Sequence, residues 1–449
     1  MERLKLFYHN NRTWIYNLQY VGYSIILMIF VALIDLRILP WQPYIPAIFL
    51  TKVGLAKSIL TTMAGALLTI TTFTFSTILT VMSSYASNFS PRTVENFINM
   101  KITMKVLGIF IGGFFYCITT LLLMRDAFED EQVIAGVVAV LYSIMCIIYF
   151  VIFVQSVIDK FQGVNLISDI SEEGEAIVRE EYEARKNSSE FAKRENFIPA
   201  EVHSTSRGYL SVIDYDAMLE LLEDYEGMFR ITKRLGDYVV EGEIVGELSL
   251  DRAVEDEELL EKLGKCFFFQ DQKVAHSDYR YNLTKLMEIC LRALSTGVND
   301  PNTAIHTIRK LGVTMAPLAS IDAYHIAVAE KYGCQIFYTS YPFKEDLYDN
   351  FSQIVHYGTD DAMVTRAILE SLRIMYERAT PRNKEHICDF ALYTEKSVEK
   401  QDYLELDRAW IEAALQPFKQ KKEVLEQARA EKSAKETKVK KALKAGGEI

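Results

Sequence analysis

The sequence lacks the loops and clusters that usually announce catalysis. It has no Gly-x-x-x-x-Gly-Lys-Ser/Thr loop and no Gly-x-Gly-x-x-Gly after a strand, so both common backbone cradles for nucleotide phosphates are missing. It has no His-Glu-x-x-His and no paired-cysteine spacing, which removes the familiar zinc centres. A Gly-x-Ser-x-Gly elbow is also absent. The seven histidines (His9, His203, His276, His306, His325, His356, His386) are dispersed and read as surface or packing residues. The six cysteines (Cys117, Cys146, Cys266, Cys290, Cys334, Cys388) are scattered too, as expected of a thiol-reducing compartment. No catalytic residue, metal or cofactor is therefore assigned. The positive case for an enzyme falls away, although another scaffold could still carry one.

What is present is unevenly distributed. Of 449 residues, half are hydrophobic and 24% charged. Residues 1–162 carry 11 Lys/Arg against 8 Asp/Glu, residues 163–418 carry 28 against 47, and residues 419–449 carry 10 against 5. The long uncharged runs fall almost entirely in the first block. Such ordered hydrophobic segments exclude both a plain soluble globule and a wholly disordered chain. The acidic middle block would repel phosphate, so nucleic acid is not an expected partner.

A membrane span needs about 20 mostly apolar residues. Four segments qualify, at about 14–36, 58–84, 104–124 and 132–158. Trp14, Trp41, Tyr44 and Tyr149 decorate their ends, where amphipathic rings favour the interface. Two helical pairs divided by a re-entrant element would fit nearly as well; four spans is the expectation. Ile34 is followed by Asp35-Leu36-Arg37 rather than small residues, so the first span reads as retained and not as a cleaved signal. With the N-terminus inside, inner flanks hold Arg3, Lys5, Arg12, Arg92, Lys101, Lys105 and Lys160, and outer loops hold Arg37, Lys52, Lys57 and Arg125. That bias and the unpaired cysteines place both termini and the large domain in the cytoplasm.

The second span is rich in hydroxyls. Ser58, Thr62, Gly65, Thr69, Thr72, Ser76, Thr80 and Ser83 follow at steps of three or four, which draws one small, polar stripe along a helix. Two readings stay open: close helix packing, or the lining of a pore built by several subunits. No charge interrupts the span interiors, which favours a passive path over proton- or sodium-coupled transport.

Ser90 before Pro91 and Arg92 has the form of an N-cap with proline in the first turn. Thr93–Lys105 then reads as an interfacial helix, with Val94, Phe97, Ile98 and Ile102 on one face. It is either a plain connector or a coupling element. The loop Asp126–Glu131 holds four carboxylates, a solvated loop or a cation-concentrating pore mouth.

Beyond the spans the expected organisation is a charged helical stalk over 163–206, a small β-rich module over 207–250, a helical domain over 251–418 and a lysine-rich tail over 419–449. The whole chain thus reads as a membrane α-helical unit with four transmembrane helices, followed by a cytoplasmic α+β domain. Within that domain, Gly236-Asp237-x-Val-x-x-Gly242 is similar to the hairpin of biotinyl and lipoyl domains. The lysine that carries their cofactor is absent, so a structural hairpin is expected. Arg292-Ala-Leu-Ser295-Thr-Gly297-Val-Asn299-Asp300-Pro301-Asn-Thr303-Ala304 reads as a helix stop at Gly297 and a restart capped by Asp300. It is an interhelical corner, or a ligand site offering free N–H groups beside Arg292.

That run, together with Ser90-Pro91-Arg92 after a hydroxyl-rich span, resembles a family of predicted bacterial membrane proteins, domain of unknown function 2254. The resemblance extends from about residue 10 to about residue 415 and includes the Gly208-Tyr209 strand and the Gly236-Asp237 turn. Thr296 stands where the family pattern places proline, so the turn geometry is expected to differ. The family implies a multi-span protein of the cytoplasmic membrane with a cytosolic domain and brings no established activity. Two functions remain: an oligomeric channel gated by its cytoplasmic domain, or a membrane-anchored sensor or scaffold for a ligand or protein. The lipid bilayer and further copies of the chain are the expected partners.

Overall fold

The structure is a computed structural model, and it describes residues 12–93, 101–124, 131–160, 163–187, 198–254, 257–273, 278–323, 325–331 and 333–445. The chain divides into two compact units between Leu166 and Ile167. Most of the expected interfacial helix, nearly all of the acidic Asp126–Glu131 loop and the last four tail residues lie outside the described residues.

In the first unit, α1 (Arg12–Asp35), α2 (Val53–Asn88), α3 (Lys101–Leu123) and α4 (Ala135–Lys160) are long and apolar enough to cross a membrane. Half of the apolar stretch of α3 is buried, against 22% in α1, α2 and α4, so α3 is the central helix. Its glycines make that position possible. A Cβ on Gly113 would lie 2.6 Å from the Tyr142 ring, and one on Gly112 would collide with the Ser24 hydroxyl. Neighbouring helices thus approach the α3 backbone directly, the usual device where lipid supplies no hydrophobic drive between helices. The Tyr142 hydroxyl donates to the Ile109 carbonyl (2.8 Å) and lies 2.8 Å from Ser24 Oγ, which joins α1, α3 and α4 by buried polar contacts.

One end of this unit is laced together. Asp35, the last residue of α1, accepts from the N–H groups of Ile134 (2.8 Å) and Ala135 (3.2 Å). It therefore satisfies two donors at the start of α4 that the helix itself cannot. Beside it, β1 (Thr51–Lys52) pairs antiparallel with β2 (Gln132–Val133). Gln42 donates to the Gln132 carbonyl (2.5 Å), and Arg37 reaches Glu131 (3.4 Å).

The second unit opens with α5 (Gly163–Lys186), whose first residues precede the division, and builds two sheets. The larger has the order β3-β7-β5-β10-β9, with β3 (Ile198–His203), β5 (Gly227–Ile231), β7 (Ile244–Leu250), β9 (His325–Lys331) and β10 (Cys334–Thr339). All its pairings are antiparallel except β5 with β10. The smaller sheet is antiparallel, β6-β4-β8, from β4 (Gly208–Ile213), β6 (Tyr238–Val239) and β8 (Phe267–Gln270). Short helices α6 (Tyr215–Leu221) and α7 (Glu257–Gly264) accompany them. Phe229, Val245, Leu248, Ile336 and Phe267 belong to one buried core.

The β structure reaches beyond 207–250, since β8, β9 and β10 come from the stretch read as helical. The expected hairpin also divides: Tyr238–Val239 pairs with β4 in the small sheet, whereas Ile244–Leu250 lies between β3 and β5 in the large one. The chain turns from one sheet to the other at Gly242 (φ +82°), in the left-handed region that glycine enters without penalty.

The remaining helices are α8 (Tyr279–Ala293), α9 (Pro301–Ala319), α10 (Phe343–Gly358), α11 (Ala362–Arg378), α12 (Pro381–Val398) and α13 (Glu405–Ala445). Their starts are written in the sequence. Asp278, Asp300, Asp361 and Thr380 each accept a first-turn N–H with their side chains, and Pro301 and Pro381 open their helices.

Candidate functional site

The hydroxyl stripe has a definite place in its unit. At about 100° per residue, Ser58, Thr62, Gly65, Thr69, Thr72, Ser76, Thr80 and Ser83 share one line of α2, and all are exposed. The buried residues of α2, among them Ala56, Leu60, Ala64, Leu67, Ile78 and Val81, occupy the opposite side. Among the described residues, the stripe therefore packs against no other helix of the chain. Exposed Leu55 and Phe73 flank it on one side, and Leu68, Phe75 and Leu79 on the other. Four of its threonines turn their hydroxyl protons inward: Thr62, Thr69, Thr72 and Thr80 donate to carbonyls four residues back at 2.9–3.0 Å. What they present outward is acceptor lone pairs and methyl groups, with no charge.

Ser90 is buried, and its Oγ accepts from the Arg92 N–H (3.2 Å), while Thr93 Oγ1 donates to the Ser90 carbonyl (2.6 Å). Pro91–Thr93 forms a single 3₁₀ turn; the helix expected to follow falls mostly on undescribed residues.

Arg292, Ser295, Asn299, Asp300 and Thr303 do come together as one corner between α8 and α9. Ser295 Oγ donates to the Arg292 carbonyl (2.7 Å), and the Asn299 N–H to the Ser295 carbonyl (2.9 Å). Asp300 accepts from the Thr303 N–H (3.1 Å) and hydroxyl (2.6 Å). The helix stops earlier than expected, at Ala293, and the left-handed residue is Asn299 (φ +49°), not Gly297. Asparagine tolerates that region because its side chain can bond locally. The Asp300 cap already takes up the Thr303 N–H, so this start offers an incoming anion less than a bare helix end would.

Sequence reasoning missed a buried polar network in the second unit. Arg185 of α5 is 1% exposed. Its Nε donates to Glu181 (2.8 Å), and its Nη2 donates to Ser340 Oγ (2.7 Å) and the Tyr279 hydroxyl (3.1 Å). Tyr279 in turn donates to Asp346 Oδ2 (2.8 Å), and Arg280 Nε lies 2.8 Å from Asp346 Oδ1. Tyr341 donates to Asp237 (2.6 Å), and the guanidiniums of Arg280 and Arg234 lie 3.6 and 4.3 Å from its ring centre. Burial pushes the Asp346 carboxyl up to about 7, against the pull of Arg280 and Arg185. Four segments distant in sequence (181–185, 234–237, 279–280 and 340–346) are thus joined in one network. The only sequence signal was the Glu181-x-x-x-Arg185 spacing, which any exposed helix also shows.

Comparison with known proteins agrees with the resemblance drawn above. The family described as "Predicted membrane protein (DUF2254)" matches residues 10–374, ending short of the 415 expected. An uncharacterized protein of Mycobacterium bovis and one of Mycobacterium tuberculosis are each 24% identical over 337 residues, covering 71% of this chain. The alignment covers 63% of each relative's own length. No solved structure matches. With the family matched over most of its length, the chain belongs to this family of predicted membrane proteins.

Proposed function

We propose that the chain is an oligomeric passive channel for ions or small solutes in the bacterial cytoplasmic membrane, gated by its second unit. The observation that carries this reading is the position of the hydroxyl stripe, on the side of α2 turned away from the other three helices and bordered by apolar rows. In a ring of copies those rows would meet neighbouring subunits, and the stripe would face a shared axis lined with acceptor oxygens. A single chain with one polar helix face encloses no path, so the reading requires further copies. Both termini and the second unit are assigned to the cytoplasm on the Lys/Arg bias.

Single-channel recording of purified protein in a planar bilayer tests the proposal. Discrete currents are expected, and Thr69→Leu/Thr72→Leu/Ser76→Leu should abolish them while oligomers still form. Silence of the parent protein under voltage, tension, calcium and pH steps would sink the channel reading. The second reading, a membrane-anchored sensor or scaffold, is favoured by the exposed Arg292–Thr303 corner and the large second unit. It predicts that the triple-leucine protein keeps its full activity.

A further inference from the structure

The second unit contains a cavity of about 270 Å³ whose charged lining is Arg185, Lys344, Arg382, His386, Asp322 and Glu345. Its two carboxylates are occupied: Glu345 pairs with Arg234 (2.9 Å), and Asp322 accepts from the Thr380 hydroxyl (2.6 Å). The cations are not matched in the same way. Among the described residues, Lys344 and Arg382 form no ion pair, in a unit that is strongly acidic overall. Arg185, at the cavity wall, is fixed by the buried network and has no freedom to turn away.

Two helices also begin here. Lys344 lies in the first turn of α10, where Pro342 provides no side-chain acceptor for the N–H groups, and Arg382 lies in the first turn of α12. The α10 start adds partial positive charge, against Glu345 and Asp346 in its own first turn, whereas the α12 start is already capped by Thr380. The His386 imidazole feels the result: burial first, and then Lys344 and Arg382, hold its pKa below the ordinary value. Lys344 and Arg382, neither of them in an ion pair, thus face the same opening as Arg185, whose own charge is met by Glu181 (2.8 Å).

We propose that this cavity binds a small ligand through a multiply charged oxyanion group, either a phosphate or a polycarboxylate. Arg185 would supply the fixed wall, Lys344 and Arg382 the mobile charges, and the α10 start the N–H donors. The proposal stands on the second unit alone and holds whether or not the first unit conducts.

Isothermal titration calorimetry on the full chain in detergent tests it, using inorganic phosphate, citrate and acetate at matched ionic strength. Saturable binding of phosphate or citrate near one per chain is expected, with acetate inert. Phosphate alone would identify a phosphorylated ligand, and citrate alone a polycarboxylate. Lys344→Gln/Arg382→Gln changes two exposed side chains and should weaken binding by at least about tenfold, as expected for loss of two charge-assisted contacts. Arg373→Gln, which removes one positive charge elsewhere on the unit, should bind as the parent does, and the single variants Lys344→Gln and Arg382→Gln should each bind more weakly than it. Absence of saturable heat to millimolar phosphate and citrate would overturn the proposal, as would equal binding by the double variant.

Discussion

Asp346 is the most consequential single residue of the second unit, because burial and two arginines pull its proton in opposite directions. Burial prevails, and the carboxyl rises to about 7, whereas an unfolded aspartate titrates near about 3.9. Between those values the folded chain holds one proton more than the unfolded chain. Stability contributed by this group is thus full in acid and declines by roughly 1.4 kcal/mol per pH unit as pH rises from about 4 to about 7. Asp346→Asn cannot titrate. Melting curves across that range should show the parent losing stability relative to the variant, and parallel curves would refute the assignment. At the corner, Asp300→Ala removes a cap bonded to both the N–H and the hydroxyl of Thr303, and should cost about 1 kcal/mol in urea unfolding. Neighbouring Asn299 is already left-handed, so Asn299→Gly should change stability by well under that amount.

Among the elements, α3 depends most on small residues. Gly113→Val would drive a branched side chain into the Tyr142 ring and Leu67; overpacking of this kind costs about 1–3 kcal/mol. Gly65→Val faces open space on the exposed stripe and should leave folding of the monomer intact. Size-exclusion profiles and melting temperatures in detergent would separate the two. The membrane-length helices and the α9 start were legible because long uncharged runs and the Asp300-Pro301 pair are local signals. The strands β9 and β10 were not. His325-Ile-Ala-Val-Ala-Glu-Lys mixes strand and helix formers, and it becomes a strand beside β10, whose parallel partner β5 lies about a hundred residues earlier. The divided hairpin has the same cause: glycine turns marked where the chain bends at 236 and 242, but not which sheet each arm would join. Arg185 shows the limit for a site, since its partners Tyr279 and Ser340 are 94 and 155 residues away.

Across the whole molecule, the six cysteines report on both units at once. Cys117 and Cys146 are buried in the first, and Cys266, Cys290, Cys334 and Cys388 in the second. Burial pushes Cys334 and Cys388 up to about 11, which leaves little thiolate at neutral pH. Maleimide should therefore label native protein slowly. In rising urea with detergent, the four thiols of the second unit should react before the two of the first, because apolar spans in a micelle resist urea. Simultaneous release would mean that the units unfold together. In the first unit, Asp35 holds the beginning of α4, the β1–β2 ribbon ties Thr51 to Val133, and Gln42 grips Gln132, all at one end. Such lacing makes that end a fulcrum. Rearrangement of these helices would spread them like the ribs of a fan, with least travel at Asp35 and most near Asn88, so spin labels at the two ends should report unequal displacements.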